Sequence, residues 1–324
     1  MFRIRGWGLR GVPIDGRSSS IRALRASRNN GTGWLGGAVT FSIVCYDEPT
    51  RSWGVAVASK FLAVGALVPW GRAEVGAIAT QAAVNVAYGP AGLALLEAGA
   101  SAEAAVARMI QADVGREHRQ VGVVDAQGRA ATFTGSACLD WAGGIAVPGL
   151  AVQGNILTGP DVVTAVVDGY RSASGPLARR LVTAIAAGDR AGGDARGRQG
   201  AAVRVWRSGG SYGGTLDIAV DLRVDDHADP VGELARLLDL HDLYFTRPDP
   251  DSLLPLEGDL LAEVTAALVR VGHDPAASGG LDAALARWAG VENLEERLAA
   301  GHIDPQVLAV LRAQAGRPVL RPGE

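Results

Sequence analysis

The sequence has little cysteine and no long apolar stretch. Its 324 residues include two cysteines, Cys45 and Cys138, which are too few for a disulfide framework. No Cys/His spacing indicates zinc, and we expect neither a metal nor a cofactor. A reducing compartment suits this cysteine usage, so a cytoplasmic location is predicted. No apolar run approaches the ~18–20 residues that cross a bilayer, because the longest, 53–70, is interrupted by Lys60.

Lysine is almost absent, and charge is unevenly spread. Lys60 is the only lysine among the 31 basic residues, and the net charge is −3. That balance offers no electrostatic reason to expect a nucleic-acid partner. Residues 1–39 carry seven arginines and one acid, Asp15. The chain is 48% hydrophobic and 20% charged, which is typical of a globular protein with a substantial core.

Residues 1–39 show neither strand alternation nor a helical stripe, and no apolar core of a secretion signal. Three interpretations compete: a basic disordered tail, a targeting peptide, or a translation start assigned too early. We favour the third, with Val39 encoded by GTG and read as the initiator. Removal of that methionine would leave Thr40 as the first residue.

From Thr40 onward the pattern is regular. The predicted strands are 40–46, 54–59, 75–81, 119–125, 129–134, 150–154, 200–206 and 216–223. The predicted helices are 90–99, 102–112, 160–171, 175–188 and 230–243. Strands and helices come in groups rather than in strict alternation. This grouping predicts an α+β domain over 40–245, with two sheets covered by helix layers.

A Pro- and Asp-rich linker, 246–258, precedes a second region. Residues 259–314 predict three short helices that form a small module, with a tail at 315–324. Asp259 is the predicted cap of the first helix. Asp304 and Pro305 are typical of the start of the third.

Thr40 is the main candidate for chemistry. A threonine hydroxyl is a weak nucleophile until a base removes its proton. A free N-terminal amine, with a pKa of about 7.7–8.0, is such a base, so one residue would supply both groups. This holds only if Thr40 is the first residue, because otherwise its nitrogen is an amide. Taken alone, a threonine at a strand start is usually structural.

Several stretches resemble an uncharacterised bacterial family placed in the N-terminal nucleophile (Ntn) hydrolase superfamily. They are "TFSIVCYDEPTRSWGVAVASKF" from Thr40, "ACLDWAG" (137–143), "VQGNILTGP" (152–160), "GGDARGRQ" (192–199) and "VDLRVDDHADP" (220–230). The resemblance implies a four-layer αββα sandwich and amide-bond hydrolysis. Family members usually begin Met-Thr-Phe-Ser, which favours Thr40 as the mature N-terminus. One departure is Gly200, where a serine is expected.

The same resemblance directs attention to two further catalytic candidates. Lys60 follows the second strand, and its charge would lower the pKa of the amine and stabilise an oxyanion. The alternative is a solvated loop lysine. Asn155 follows a strand, and its amide would donate to the oxyanion, as would that of Asn85. The alternative for both is ordinary turn chemistry.

Substrate contacts are predicted at Asn85, Tyr88, Asp194 and Arg198. An arginine held by an aspartate in the Gly-rich loop 192–199 suits a substrate carboxylate, although a solvated surface ion pair fits the same pattern. "DDHADP" (225–230) contains ligand types for a metal, but acids at a helix start are the simpler interpretation.

The C-terminal module resembles a peptidoglycan-binding domain, which implies a cell-wall fragment as a partner. The lack of a secretion signal conflicts with that ligand, and a dimerisation or lid role stays open, as does a homo-oligomer. The leading hypothesis is an amidohydrolase that cleaves a C–N bond of a small amide or ureido compound. The alternative is a non-catalytic protein that uses the same fold to hold a ligand.

Overall fold

The computed structural model of the protein describes residues 40–316. Its strands are β1 (Thr40–Asp47), β2 (Ser52–Ser59), β3 (Pro69–Arg72), β4 (Gly76–Ala82), β5 (Arg119–Asp125), β6 (Ala130–Thr134), β7 (Gly143–Val147), β8 (Leu150–Asn155), β9 (Gly200–Trp206), β10 (Ile218–Val224), β11 (Leu254–Pro255) and β12 (His302–Ile303). Its α-helices are α1 (Tyr88–Glu97), α2 (Ala102–Ala112), α3 (Asp161–Ser172), α4 (Leu177–Arg190), α5 (Pro230–Phe245), α6 (Gly258–Arg270), α7 (Pro275–Ser278), α8 (Leu281–Val291) and α9 (Pro305–Ala315).

Two antiparallel sheets form the main part of the chain. The larger has six strands in the order β10-β9-β2-β1-β8-β7, and the smaller has four in the order β3-β4-β5-β6. β1 lies inside the larger sheet, where it pairs with β2 on one side and β8 on the other. Its side chains alternate between the two faces, which is the period that a strand imposes. Phe41 and Ile43 lie on one face, and Ser42 and Val44 on the other.

Three apolar clusters hold the layers together. The outer face of the larger sheet packs on α3, α4 and α5 through Phe41, Ile43, Val166, Leu181 and Leu234. The facing surfaces of the two sheets meet through Val44, Val55, Val57, Ala77 and Ala79. The outer face of the smaller sheet packs on α1 and α2 through Ile78, Leu93, Met109, Val121 and Val123. The chain is therefore a mixed α and β protein in which helices cover the outer faces of two facing sheets.

Two strands of the two main sheets were not predicted from the sequence, and both lie at sheet edges. β3 begins with Pro69 and contains Gly71, and β7 begins with Gly143-Gly144. Proline and glycine weaken a strand signal because one cannot donate to the ladder and the other lacks a side chain to pack. Edge positions tolerate both residues, since one side of the strand has no partner in the sheet.

The C-terminal region is helical, as expected, with its own core. Val264, Leu268, Leu285, Trp288 and Leu308 are buried together. Besides the three predicted helices it contains the single turn α7. β11, which lies within the predicted linker, pairs with β12, which lies between α8 and α9. The expected cap was wrong at α6, whose N-cap position is Glu257, while Asp259 lies in its first turn. Asp304 does cap α9, by accepting from the amides of Gln306 and Val307.

Arg297 joins this region to the main part of the chain. Its Nη1 donates to the carbonyl oxygens of Asp242 and Thr246 at 3.1 and 2.9 Å, at the C-terminal end of α5. Its Nη2 donates to Asp304 Oδ2 at 3.0 Å. A cation suits a helix C-terminus because the last carbonyls lack helical donors. The predicted extension 1–39 and residues 317–324 of the predicted tail lie outside the described residues.

Candidate functional site

Thr40 is buried at the start of β1. Its side chain shares the face of Ser42 and Val44 and therefore points towards the smaller sheet. Thr40 Oγ1 donates to Ser59 Oγ at 3.2 Å, and the residue is 0% exposed. Its carbonyl oxygen accepts from Gln81 Nε2 at 3.2 Å. The hydroxyl thus lies between the two sheets, at the end of a central strand.

Asn155 is the residue of β8 that pairs with Thr40. Directly opposed residues of an antiparallel pair point to the same face, with Cβ atoms about 4.5–5.5 Å apart. Asn155 is 2% exposed, and its Nδ2 donates to Gln120 Oε1 at 2.9 Å. The structure thus brings together two of the residues singled out in the sequence, Thr40 and Asn155.

A network of buried amides surrounds this pair, and the sequence analysis missed it. Gln81 Nε2 donates to Gln120 Oε1 at 2.7 Å, and Ser42 Oγ donates to Gln81 Oε1 at 2.6 Å. Gln153 Nε2 donates to Ser42 Oγ at 2.6 Å. Gln120 Nε2 also donates to the carbonyl of Gly154 at 2.8 Å. Interlocking amides of this kind fix one another's orientation. The available signal was a glutamine inside each of three mostly apolar strands.

Strained backbone follows two residues of this network. Ala82, next to Gln81, has φ 65°, and Ile156, next to Asn155, has φ 48°. A left-handed conformation is unusual for alanine and a true outlier for β-branched isoleucine. Strain of this kind costs about 1–3 kcal/mol and tends to occur at functional sites. It marks the ends of β4 and β8 as positions whose geometry is held by their surroundings.

A small cavity adjoins Thr40. It is lined by Thr40, Phe61, Val64, Leu67, Val68, Gln81 and Val84, and its volume is about 10 Å³. That is close to the volume of a single water-sized probe. Most of the wall comes from the segment 61–68, which contains the 3-10 turn Val64–Ala66. The wall is apolar apart from Thr40 and Gln81.

Lys60 lies with Asp194 and Arg198, which are two other predicted site residues. Its backbone amide donates to Asp194 Oδ2 at 2.6 Å, and its Nζ donates to the Arg198 carbonyl at 3.2 Å. Lys60 follows Ser59, the hydroxyl partner of Thr40, but its amine is bonded to the loop 192–199. A direct role of that amine at Thr40 stays a prediction.

An open cavity of about 440 Å³ lies over this loop, lined by Asp189, Arg190, Gly192, Asp194, Gly197, Arg198 and Ala228. The arginine that Asp194 holds within this loop is Arg196 and not Arg198, the predicted site residue. Arg196 pairs with Asp194, whereas Arg198 Nε donates to Asp189 at 2.8 Å. Asp194 is 7% exposed and accepts from the Lys60 amide at the end of β2, and its predicted substrate contact stays a prediction. Arg198 faces the open cavity.

Asn85 and Tyr88 meet at Asp113. Asn85 Nδ2 and Tyr88 Oη both donate to Asp113 Oδ2 at 3.0 Å, and Arg119 Nε donates to the same oxygen at 2.9 Å. Hydrogen bonding from Arg119 first, and then from Asn85, holds the pKa of Asp113 well below its usual range. Burial, aided by Asp113, raises the pKa of Tyr88 well above its usual range. The predicted pair therefore anchors the segment between β4 and α1.

Two aspartates of the acidic run 225–230 accept hydrogen bonds from within the protein. Asp229 caps α5 by accepting from the Gly232 amide, and Asp226 accepts from Gln199. No group of three or more metal-binding side chains is close enough to hold an ion within residues 40–316. Nor does any α-helix in that part of the chain combine the length and apolar character required to cross a bilayer.

Comparison with other proteins assigns the family. Residues 40–234 match the model of a family of unknown function, DUF1028, and residues 244–311 match the model described as "Putative peptidoglycan binding domain". A crystal structure of a DUF1028 protein from Silicibacter pomeroyi is similar at 30% sequence identity and a TM-score of 0.58, over 69% of this chain and 93% of that one. No curated protein matches the chain. The chain therefore belongs to the DUF1028 family.

Proposed function

We propose that this protein is an N-terminal nucleophile amidohydrolase with Thr40 as the nucleophile. The observation that carries the proposal is the position of Thr40, buried at the start of a central strand beside Asn155 and Ser59. The layer order adds support, because the Ntn superfamily implies two antiparallel sheets between helices. The backbone strain directly after Gln81 and Asn155 is a second support.

In the proposed reaction, Thr40 Oγ1 attacks the carbonyl carbon of an amide and its proton moves to the Thr40 amine. The resulting oxyanion collapses, the C–N bond breaks, and the departing amine takes the proton from the ammonium group. An acyl ester on Oγ1 remains. Water then attacks the ester and gives a proton to the amine. The C–O bond breaks, Oγ1 recovers its proton, and the products are a carboxylic acid and an amine.

The chemistry requires Thr40 to be the first residue, since an amide nitrogen is not a base at neutral pH. Translation from Val39 with removal of the initiator methionine would meet this requirement, and so would a processing cut before Thr40. Mass spectrometry of the N-terminus of the native protein tests this requirement directly. A native protein that begins at Met1 and is never cut would contradict the mechanism.

Asn155 is the proposed oxyanion donor. A side-chain amide carries two N–H donors, and Gln120 accepts from Nδ2. We assign the second donor to the oxyanion, which would form beside Thr40 on the same face of the sheet. Lys60 remains a candidate for tuning the amine because it follows Ser59. This role requires its Nζ to leave the Arg198 carbonyl.

The proposed substrate is a small amide or ureido compound. The open cavity near Asp194 would receive the part of the substrate that departs as the amine, and Arg198 would pair with a carboxylate there. Asn85 and Tyr88 would act indirectly by holding the segment that contributes Val84 to the Thr40 cavity.

The decisive experiment compares the full chain with a chain that begins at Thr40. Such a chain keeps every described contact, because all described elements lie within 40–316 and the family match begins at residue 40. We expect turnover of small amides by the shorter chain and by its Thr40→Ser variant, which retains a hydroxyl. The full chain, if uncut, and Thr40→Ala should be inactive. Equal turnover by Thr40→Ala would remove Thr40 from the mechanism.

A non-catalytic binding protein is the second candidate function. The match of residues 244–311 to a peptidoglycan-binding model favours it. Binding of soluble peptidoglycan fragments, followed by calorimetry on the whole chain, tests this candidate. Binding together with absent turnover in the Thr40-first chain would favour it over the hydrolase.

A further inference from the structure

We propose that the acyl group transferred to Thr40 is short, of formyl or acetyl size, and apolar. This inference rests on the proposed function and names its substrate class. The basis is the cavity beside Thr40, whose volume is about 10 Å³. An acyl ester on Oγ1 would place its alkyl end against the cavity wall. There is room for about one methyl-sized group before the wall must move.

The wall is held in place from several sides. Val64, which is 1% exposed, and Val68, which is 3% exposed, pack in the core between the two sheets. The Ala63 amide donates to the Asp225 carbonyl at 3.0 Å, and the Thr80 amide donates to the Val68 carbonyl at 3.1 Å. The segment 61–68 is thus tied to both sheets. A close-packed wall of this kind resists insertion of extra methylenes.

Gly65 shows how tight the packing behind the wall is. A Cβ at this position would lie 2.5 Å from the Cβ of Ala202 and 2.8 Å from Cγ of Arg223. The turn Val64–Ala66 therefore rests directly on β9 and β10 and has no space behind it. Retreat of the wall to admit a long acyl chain would require the strands themselves to shift.

The polarity of the cavity disfavours a carbamoyl group, so this inference narrows the proposed amide or ureido substrate to an amide. Gln81 is the only polar side chain in the wall besides Thr40. Its Nε2 donates to the Thr40 carbonyl, to Gln120 Oε1 and to the Gln153 carbonyl, and its Oε1 accepts from Ser42. A carbamoyl NH₂ would be buried against Phe61, Val64 and Leu67 without a partner, which is unfavourable. A hydrogen or methyl substituent has no such requirement.

The test uses the chain beginning at Thr40 and one fluorogenic amine carrying formyl, acetyl, carbamoyl, propionyl, butyryl or benzoyl groups. We expect kcat/KM to be highest for formyl or acetyl and to fall ~10-fold or more for each further methylene. Leu67→Ala should raise the butyryl-to-acetyl ratio ~10-fold or more, because it shortens a half-buried wall residue. Leu62→Ala is the matched control, since Leu62 is 58% exposed and does not line the cavity.

If Leu67→Ala does not fold, Val84→Ala shortens another half-buried side chain of the wall and tests the same expectation. Turnover that depends on Thr40 but is level or rises with acyl length overturns this inference and leaves the proposed function intact. A carbamoyl preference would do the same. Absence of Thr40-dependent turnover for the whole series contradicts the proposed function, and with it this inference.

Discussion

Thr40 and Asn155 are cross-strand partners on β1 and β8, and both side chains are buried between the two sheets. Each is anchored by a different neighbour, Thr40 Oγ1 by Ser59 and Asn155 Nδ2 by Gln120. A hydroxyl and an amide donor are thus held side by side. This is the arrangement that an acyl-transfer site needs, with a nucleophile next to a group that can stabilise an oxyanion.

Replacing Asn155 tests the oxyanion assignment. In the chain beginning at Thr40, Asn155→Ala should lower kcat about 10²–10³-fold, the usual effect of losing one oxyanion donor. KM should change much less, because the contact forms mainly in the transition state. Steady-state kinetics on an acetyl amide measure both constants. Asn85→Ala is the comparison, and a larger loss of kcat there than at Asn155 would reverse the assignment.

Gln120 is expected to be important for stability. Its Oε1 accepts from Gln81 and Asn155, and its Nε2 donates to Thr134 Oγ1 and to the Gly154 carbonyl. Gln120→Ala leaves several buried polar groups unpaired and opens a cavity, so we expect a loss of about 2–4 kcal/mol in the free energy of unfolding. Urea denaturation measures it. Gln127→Ala, at an exposed position, is the control and should change the free energy of unfolding by no more than about 0.5 kcal/mol. Equal losses in the two variants would show that the network contributes little.

Arg297 should control attachment of the C-terminal region. The Arg297 and Asp304 side chains are 5% and 2% exposed. Arg297→Met leaves the Asp304 carboxylate buried without its cation, and such losses cost about 3–5 kcal/mol. We expect faster proteolysis within 246–258 and a lower unfolding midpoint. Arg312→Met, which breaks an exposed pair with Glu263, should change neither appreciably.

Asp113 should make stability depend on pH. Its pKa is lowered on folding, so its stabilising contribution is present above its unfolded pKa of about 3.9 and is lost as the pH falls through the folded pKa. Asp113→Asn should therefore destabilise the protein most near neutral pH. The difference from wild type should shrink below about pH 4. Urea midpoints from pH 7 to pH 3 measure this.

Asp168→Asn is the control for the pH series, because Asp168 is exposed on α3. Its stability should follow wild type at each pH. A difference for Asp113→Asn that grows as the pH falls would contradict the assigned role of the Arg119, Asn85 and Tyr88 contacts.

Local sequence patterns predicted several elements closely. β1, α2 and the hairpin β5–β6 lie within one residue of their predicted bounds. Ser101 caps α2 by accepting from the Ala104 amide. The edge strands β3 and β7 escaped prediction because proline and glycine weaken the alternating signal. Neither edge strand contributes a wall to the Thr40 cavity.

The sequence by itself determined where most strands and helices form, because backbone dihedral preferences, capping residues and apolar periods act over a few residues. It also singled out Thr40 as the start of a regular strand. Only the tertiary structure decided which distant residues meet: Asn155 with Thr40, Asn85 with Asp113, and Arg198 with Asp189. The first of these meetings depends on the register of β1 against β8 and on which strands pair. No local pattern encodes either of these, since a shift of one residue would turn each side chain to the opposite face.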